Sequence, residues 1–191
     1  MKKFFHDYSY SIVKMFVNQF AIAIFGIALF TPTFNTMTTL NLITSIFAVI
    51  FYLFLIYVLT WEIGAKDRIS VDVGKKPYRP YTGLLLSLIA NIPNLLLAIF
   101  CTVTELINPA KQFWAIPTLL NGMYWGIIRN VKLPLGAGGA FVSISEFAIT
   151  FYLMIVPALV TCWIAYFMGF KNIRIVAKAP NAPTEKPKLK K

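Results

Sequence analysis

The 191-residue chain holds one histidine, two cysteines and seven carboxylates, and their spacing closes off most enzyme chemistry. His6 stands alone, so neither a two-histidine zinc site nor a His-Glu-x-x-His helix can be built. A Ser/His/Asp or Cys/His set would have to use His6, and the sequence places no nucleophile beside it. Next to Asp7 in a basic stretch, His6 reads as an interfacial residue. Gly74-Lys75-Lys76 is too short a match for a phosphate-binding loop. Cys101 and Cys162 fall on two apolar runs at depths that differ by roughly 16 Å at 1.5 Å per residue. A disulfide needs Cα atoms within about 7 Å, so both are expected to be packing residues. No catalytic set, metal or cofactor is expected.

The polar residues inside apolar runs are the stronger candidates, because each must find a partner away from water. Asn91 and Asn94 stand three apart and share a helix face, and Pro93 between them removes a backbone donor. Pro157 is expected at a comparable height in the last run. Two proline-weakened helices at one depth could line a polar cavity for a small neutral solute or cation. The structural alternative is that the two amides bond across helices and hold the bundle together. Glu146 and Thr150 share a face at the outer end of the last run. They form a candidate entrance for a cation, or a carboxylate placed to suit the helix dipole. Ala158, Thr161, Ala165 and Gly169 recur every three or four residues, a small-residue stripe that lets another backbone approach closely. Glu62, Asp67 and Asp72 alternate with cations and read as parts of a solvated loop.

The elements that must carry these residues follow from hydropathy. A hydrocarbon core about 30 Å thick needs roughly 20 apolar helical residues. Four runs approach or meet that length: about 15–31, 42–59, 82–103 and 147–170. The expected fold class is therefore all-α: a polytopic membrane protein of four transmembrane helices over residues 1–175, followed by a basic Pro/Lys-rich tail, 176–191, expected to be disordered. Residues 112–131 place Phe113, Ile116, Leu120, Met123, Tyr124, Ile127 and Val131 on one helical stripe. Thr118, Asn121, Gly122, Trp125 and Arg129 fall on the other. That pattern suits an amphipathic helix lying in the outer interface, a helix capping the outer end of the bundle, or a re-entrant segment. Gly136, Gly138 and Gly139 mark the following connector as flexible. No internal repeat is evident.

Charge orients the spans. Fifteen of the eighteen Lys and Arg residues fall in the first 14 residues, in Lys66 to Arg79 and in Lys171 to Lys191. Cytoplasmic segments retain Lys and Arg, so all three stretches, and with them both termini, are expected in the cytoplasm of a cell (inner) membrane protein. The first run is too long, and lacks the cleavage site, for a cleaved signal. Composition agrees: 58% hydrophobic, 16% aromatic and 13% charged residues with a mean hydropathy of +0.70 are foreign to a water-soluble domain of this size. The net charge of +11 does not point to nucleic acid, because the cations flank apolar runs instead of lining one face. They read as topology signals and contacts to anionic lipid. Trp61, Tyr78 and Tyr81 mark the inner boundary; Trp114, Tyr124 and Trp125 mark the outer one.

Three segments carry a family resemblance: Trp61-Glu62-Ile63-Gly64-Ala65-Lys66-Asp67-Arg68, Ala90-Asn91-Ile92-Pro93-Asn94 and Gly169-Phe170-Lys171-Asn172-Ile173-Arg174. On these the chain resembles a group of small bacterial multipass membrane proteins with no assigned activity. The resemblance implies the class and imports no ligand or site. The expected function is a non-enzymatic accessory or scaffold subunit of a membrane complex, contacting a membrane protein partner or a second copy. The alternatives are a small-solute transporter or channel component acting as an oligomer, and a lipid-binding membrane protein.

Overall fold

A computed structural model describes residues 2–33, 38–107, 119–134, 141–143 and 149–173. Glu146, Trp114 and the tail 176–191 lie outside the described residues. The helices are α1 (Lys2–Phe30), α2 (Thr38–Asp72), α3 (Thr82–Ala90), α4 (Ile92–Ile107), α5 (Trp125–Asn130) and α6 (Ile149–Phe170). One 3-10 turn, Thr31–Thr33, follows α1, and another, Gly122–Tyr124, precedes α5. Two residues on each side, Lys132–Leu133 and Val142–Ser143, form a minimal antiparallel ladder that brackets the glycine-rich connector. The chain is thus an all-α helical membrane protein. α1, α2 and α6 are each long and apolar enough to cross a bilayer, and α3 with α4 makes a fourth such segment, bent by 55° at the break.

The first two helices are longer than their apolar runs. α1 begins about three and a half turns before Met15, and α2 continues about as far beyond Leu59. Hydropathy marks where a helix enters oil, whereas a helix ends only where its hydrogen bonding is broken. No proline interrupts Thr60 to Asp72; Gly74, Pro77 and Pro80 follow it. Residues by sequence assigned to a solvated loop therefore stay helical, and α2, at 35 residues, reaches roughly 52 Å.

Buried residues on α2 recur at helical spacing: Ala48, Tyr52, Ile56, Thr60, Ile63 and Asp67. α2 packs on α6 along this side, the most extensive helix contact among the described residues. The small-residue stripe of α6 forms much of the opposing face, with Ala158, Ala165 and Gly169 buried and Thr161 at the margin. Gly64 and Gly169 make the approach possible: a Cβ on Gly64 would overlap the Tyr166 carbonyl, and one on Gly169 the Trp61 carbonyl. The stripe is consumed inside the chain.

In the described part of 112–131, Asn121, Met123, Tyr124 and Ile128 are buried while Leu119 and Arg129 stay exposed, so residues from both sequence stripes are covered. Glycines decide the difference. Gly122 sits on the α1 backbone at Ala23, and the Gly126 N–H donates to the Ser45 hydroxyl of α2 at 2.7 Å. Trp125 stacks on Phe30 with ring centroids 5.0 Å apart. A hydropathy stripe cannot register that the residues on the weaker face are small enough to admit neighbouring backbones.

Candidate functional site

The charged end of the bundle contains a carboxylate that is taken out of water. Asp67 is only 6% exposed, although by sequence it belongs to a solvated loop in a protein without buried charge. Its Oδ2 accepts hydrogen bonds from the Tyr8 hydroxyl of α1 at 2.5 Å and from the Tyr166 hydroxyl of α6 at 2.9 Å. Lys76, on the connector between α2 and α3, places Nζ 3.6 Å from Asp67 Oδ1 and 3.1 Å from Asp7 Oδ2. The same ammonium lies 4.7 Å from the centroid of the Tyr8 ring. Three helices and a connector therefore meet on one carboxylate. A buried anion is tolerated only with such partners, since removing it from water unpaired costs several kcal/mol. Asp7 lies in the charged stretch ahead of the apolar run of α1.

Beside this cluster opens a cavity of about 130 Å³, lined among others by Phe4, Val71, Pro77, Arg79 and Thr82. Its walls combine apolar carbon with charges of both signs. The signal for Asp67 was present in the sequence. Steps of three or four residues from Tyr52 through Ile56, Thr60 and Ile63 arrive at Asp67, so a helical stripe extended past the apolar run puts it on the buried face.

A column of polar groups leads from this end into the bundle. Thr82 neighbours Tyr166. One helical turn deeper, Ser87 and Thr60 flank the Cys162 thiol, with Thr60 Oγ1 3.4 Å from Cys162 Sγ. Neither cysteine forms a disulfide, and both are buried. Asn91 follows, its Nδ2 donating to the Ser87 carbonyl at 2.9 Å, and Asn94 Nδ2 donates to Asn91 Oδ1 at 3.3 Å. The shared face expected for the two asparagines is present, and both are nearly fully buried. Tyr52, on α2, is a further polar neighbour of Asn91. Asn94 Oδ1 is the one buried side-chain oxygen or nitrogen without a hydrogen-bond partner among the described residues.

The two prolines act differently. Pro93 occupies the first turn of α4, where its missing N–H costs no helical bond. It marks the start of a new helix after the break at Asn91 and does not loosen the middle of a continuous one. Pro157 lies inside an unbroken α6. The polar group that reaches its turn is the Tyr124 hydroxyl, which donates to the Met154 carbonyl at 3.3 Å. Thr150 is buried on α6; its proposed companion Glu146 is outside the described residues.

Comparisons with protein-family models, with curated proteins and with solved structures find no match.

Proposed function

We propose that the chain is a non-enzymatic multi-pass protein of the cell membrane, both termini cytoplasmic, that works as a component of a small-solute transporter or channel. The observation that carries this reading is the buried Asp67, standing at the foot of a polar column that climbs to a broken helix. Ionisable groups and discontinuous helices within membrane domains are the usual sites of ion and substrate handling. The unpartnered Asn94 oxygen at the break offers an acceptor to a passing solute or water. Four helices rarely enclose a pathway alone, so the working unit is an oligomer of this chain.

The accessory or scaffold reading is the rival: the sequence places Asp67 in a solvated loop and the α6 stripe where another backbone can approach, whereas Asp67 is buried and Gly169 packs on Trp61 of α2. The basic stretches retain their role as contacts to anionic lipid.

The test is flux into proteoliposomes of the purified chain, using radiolabelled monovalent cations and small amines. Asp67→Asn and the double variant Asn91→Leu/Asn94→Leu should each lower flux at least tenfold while the protein stays helical and monodisperse. Flux equal to wild type in both folded variants, or none in any arm, overturns the reading.

A further inference from the structure

Asp7 Oδ2, Asp67 Oδ1 and the face of the Tyr8 ring surround a single ammonium, that of Lys76, at 3.1 Å, 3.6 Å and 4.7 Å. Two carboxylate oxygens and an aromatic face are what a desolvated ammonium requires: acceptors for its N–H groups, compensating charge and a quadrupole. Lys76 reaches this cage from the connector, not from a helix. Just before it, Gly74 takes a left-handed conformation with φ +73°, in open space. The cavity of about 130 Å³ adjoins the cage and adds Phe4, Val71 and Pro77 as apolar wall.

From this arrangement we infer that the Asp7–Asp67–Tyr8 cage is a binding site for a small primary ammonium compound, and that Lys76 is a tethered stand-in which the ligand displaces. The inference deepens the transport reading by naming the class of solute, and it rests on that reading only for its biological use. Charge selects the ligand. With Lys76 swung out, Asp7 and Asp67 face Arg79 as the remaining charged group on the cavity wall, leaving one net negative charge. An ammonium group delivered into the cage restores neutrality there; an anion does not. The apolar wall accommodates a short carbon body, and Tyr166, bonded to the other oxygen of Asp67, keeps the carboxylate fixed when the lysine leaves.

A tethered competitor that fills the site in nine molecules of ten weakens an outside ligand tenfold. The experiment is calorimetric titration of the full-length protein, in phosphatidylcholine nanodiscs, with n-butylammonium chloride against sodium chloride at equal ionic strength. Lys76→Gln removes the stand-in charge while keeping a polar side chain one atom shorter, and should bind n-butylammonium at least tenfold more tightly than wild type. Lys76→Arg should bind no more tightly than wild type, and Lys76→Gln/Asp67→Asn should lose the gain. If Lys76→Gln is recovered folded only when n-butylammonium is present during purification, the site is likewise supported. A folded Lys76→Gln protein that gains no affinity, a gain that survives Asp67→Asn, or a misfolded variant that the amine does not recover, overturns the inference.

Doping the nanodiscs with phosphatidylethanolamine separates the two sources of a primary ammonium. Competition with n-butylammonium assigns the cage to the lipid headgroup, and unchanged titration assigns it to a free amine. Binding without flux would sink the transport reading alone, and flux without binding would sink the cage alone.

Discussion

The two ends of the polar column are held by different forces. At the charged end, Asp67 gathers two phenols and an ammonium from three other elements. At the break near Asn91, neutral amides bond chiefly within one helix pair, Asn94 to Asn91 and Asn91 to Ser87. The contrast follows from how charge and dipoles behave in low dielectric. A buried carboxylate is so costly alone that every partner must be present together, whereas an amide tolerates partial satisfaction, as Asn94 Oδ1 does. One end is a clasp that joins elements; the other is a local adjustment that lets α3 and α4 diverge by 55°.

The largest expected effect breaks the clasp. Asp67→Ala leaves Tyr8, Tyr166 and Lys76 around an empty position and should cost about 3 to 5 kcal/mol, read as a fall in the thermal midpoint in detergent and as protease cleavage between α2 and α3. If that variant melts like wild type, the cluster is not a clasp. Next comes Gly169→Leu, which forces α6 away from the Trp61 carbonyl. Overpacking of this kind costs about 1 to 3 kcal/mol or more, and the loss should appear in the isolated chain, without dependence on protein concentration. A loss seen only on dilution would return the stripe to a subunit interface.

The asparagine pair sharpens the comparison. Asn91→Leu removes hydrogen bonds to Ser87 and leaves Asn94 with nothing to donate to, at about 1 to 2 kcal/mol. Asn94→Leu discards an amide whose oxygen is already unpaired and should change stability by less than about 1 kcal/mol, in either direction. Equal losses in the two variants would mean that Asn94 Oδ1 has found a water. Smallest of all is Glu62→Gln. Its pair with Lys66, at 2.7 Å, is largely exposed, and such i, i+4 pairs contribute about 0.3 to 0.5 kcal/mol.

How much of this was legible depended on range. The asparagines were identifiable because their relation is local: three residues apart on one helix, they meet whatever else the chain does. Asp67 was hidden for the opposite reason. Its phenol partners lie 59 and 99 residues away, and its neighbours Lys66 and Arg68 make the segment look solvated. Only the spacing from Tyr52 to Asp67 connected it to the buried stripe, and a hydropathy window ends before reaching it. The same limit explains residues 119–131, whose stripe was visible but whose covering surface depended on where α1 and α2 stand.

The sequence by itself determined the helical class, the membrane-compatible lengths of the apolar runs, the shared face of Asn91 and Asn94, and the concentration of cations in three stretches. These follow from hydropathy and backbone chemistry, which act over a few turns. Tertiary structure alone decided that Gly169 of α6 packs on α2, that Gly122 and Gly126 admit the neighbouring helices, and that Asp67 and Asp7 share the Lys76 ammonium while Asp67 accepts from Tyr8 and Tyr166. Each of those outcomes depends on which surfaces meet. A buried charge is stable only when distant partners arrive together, a condition set by the packing of helices and not by the composition of any one of them.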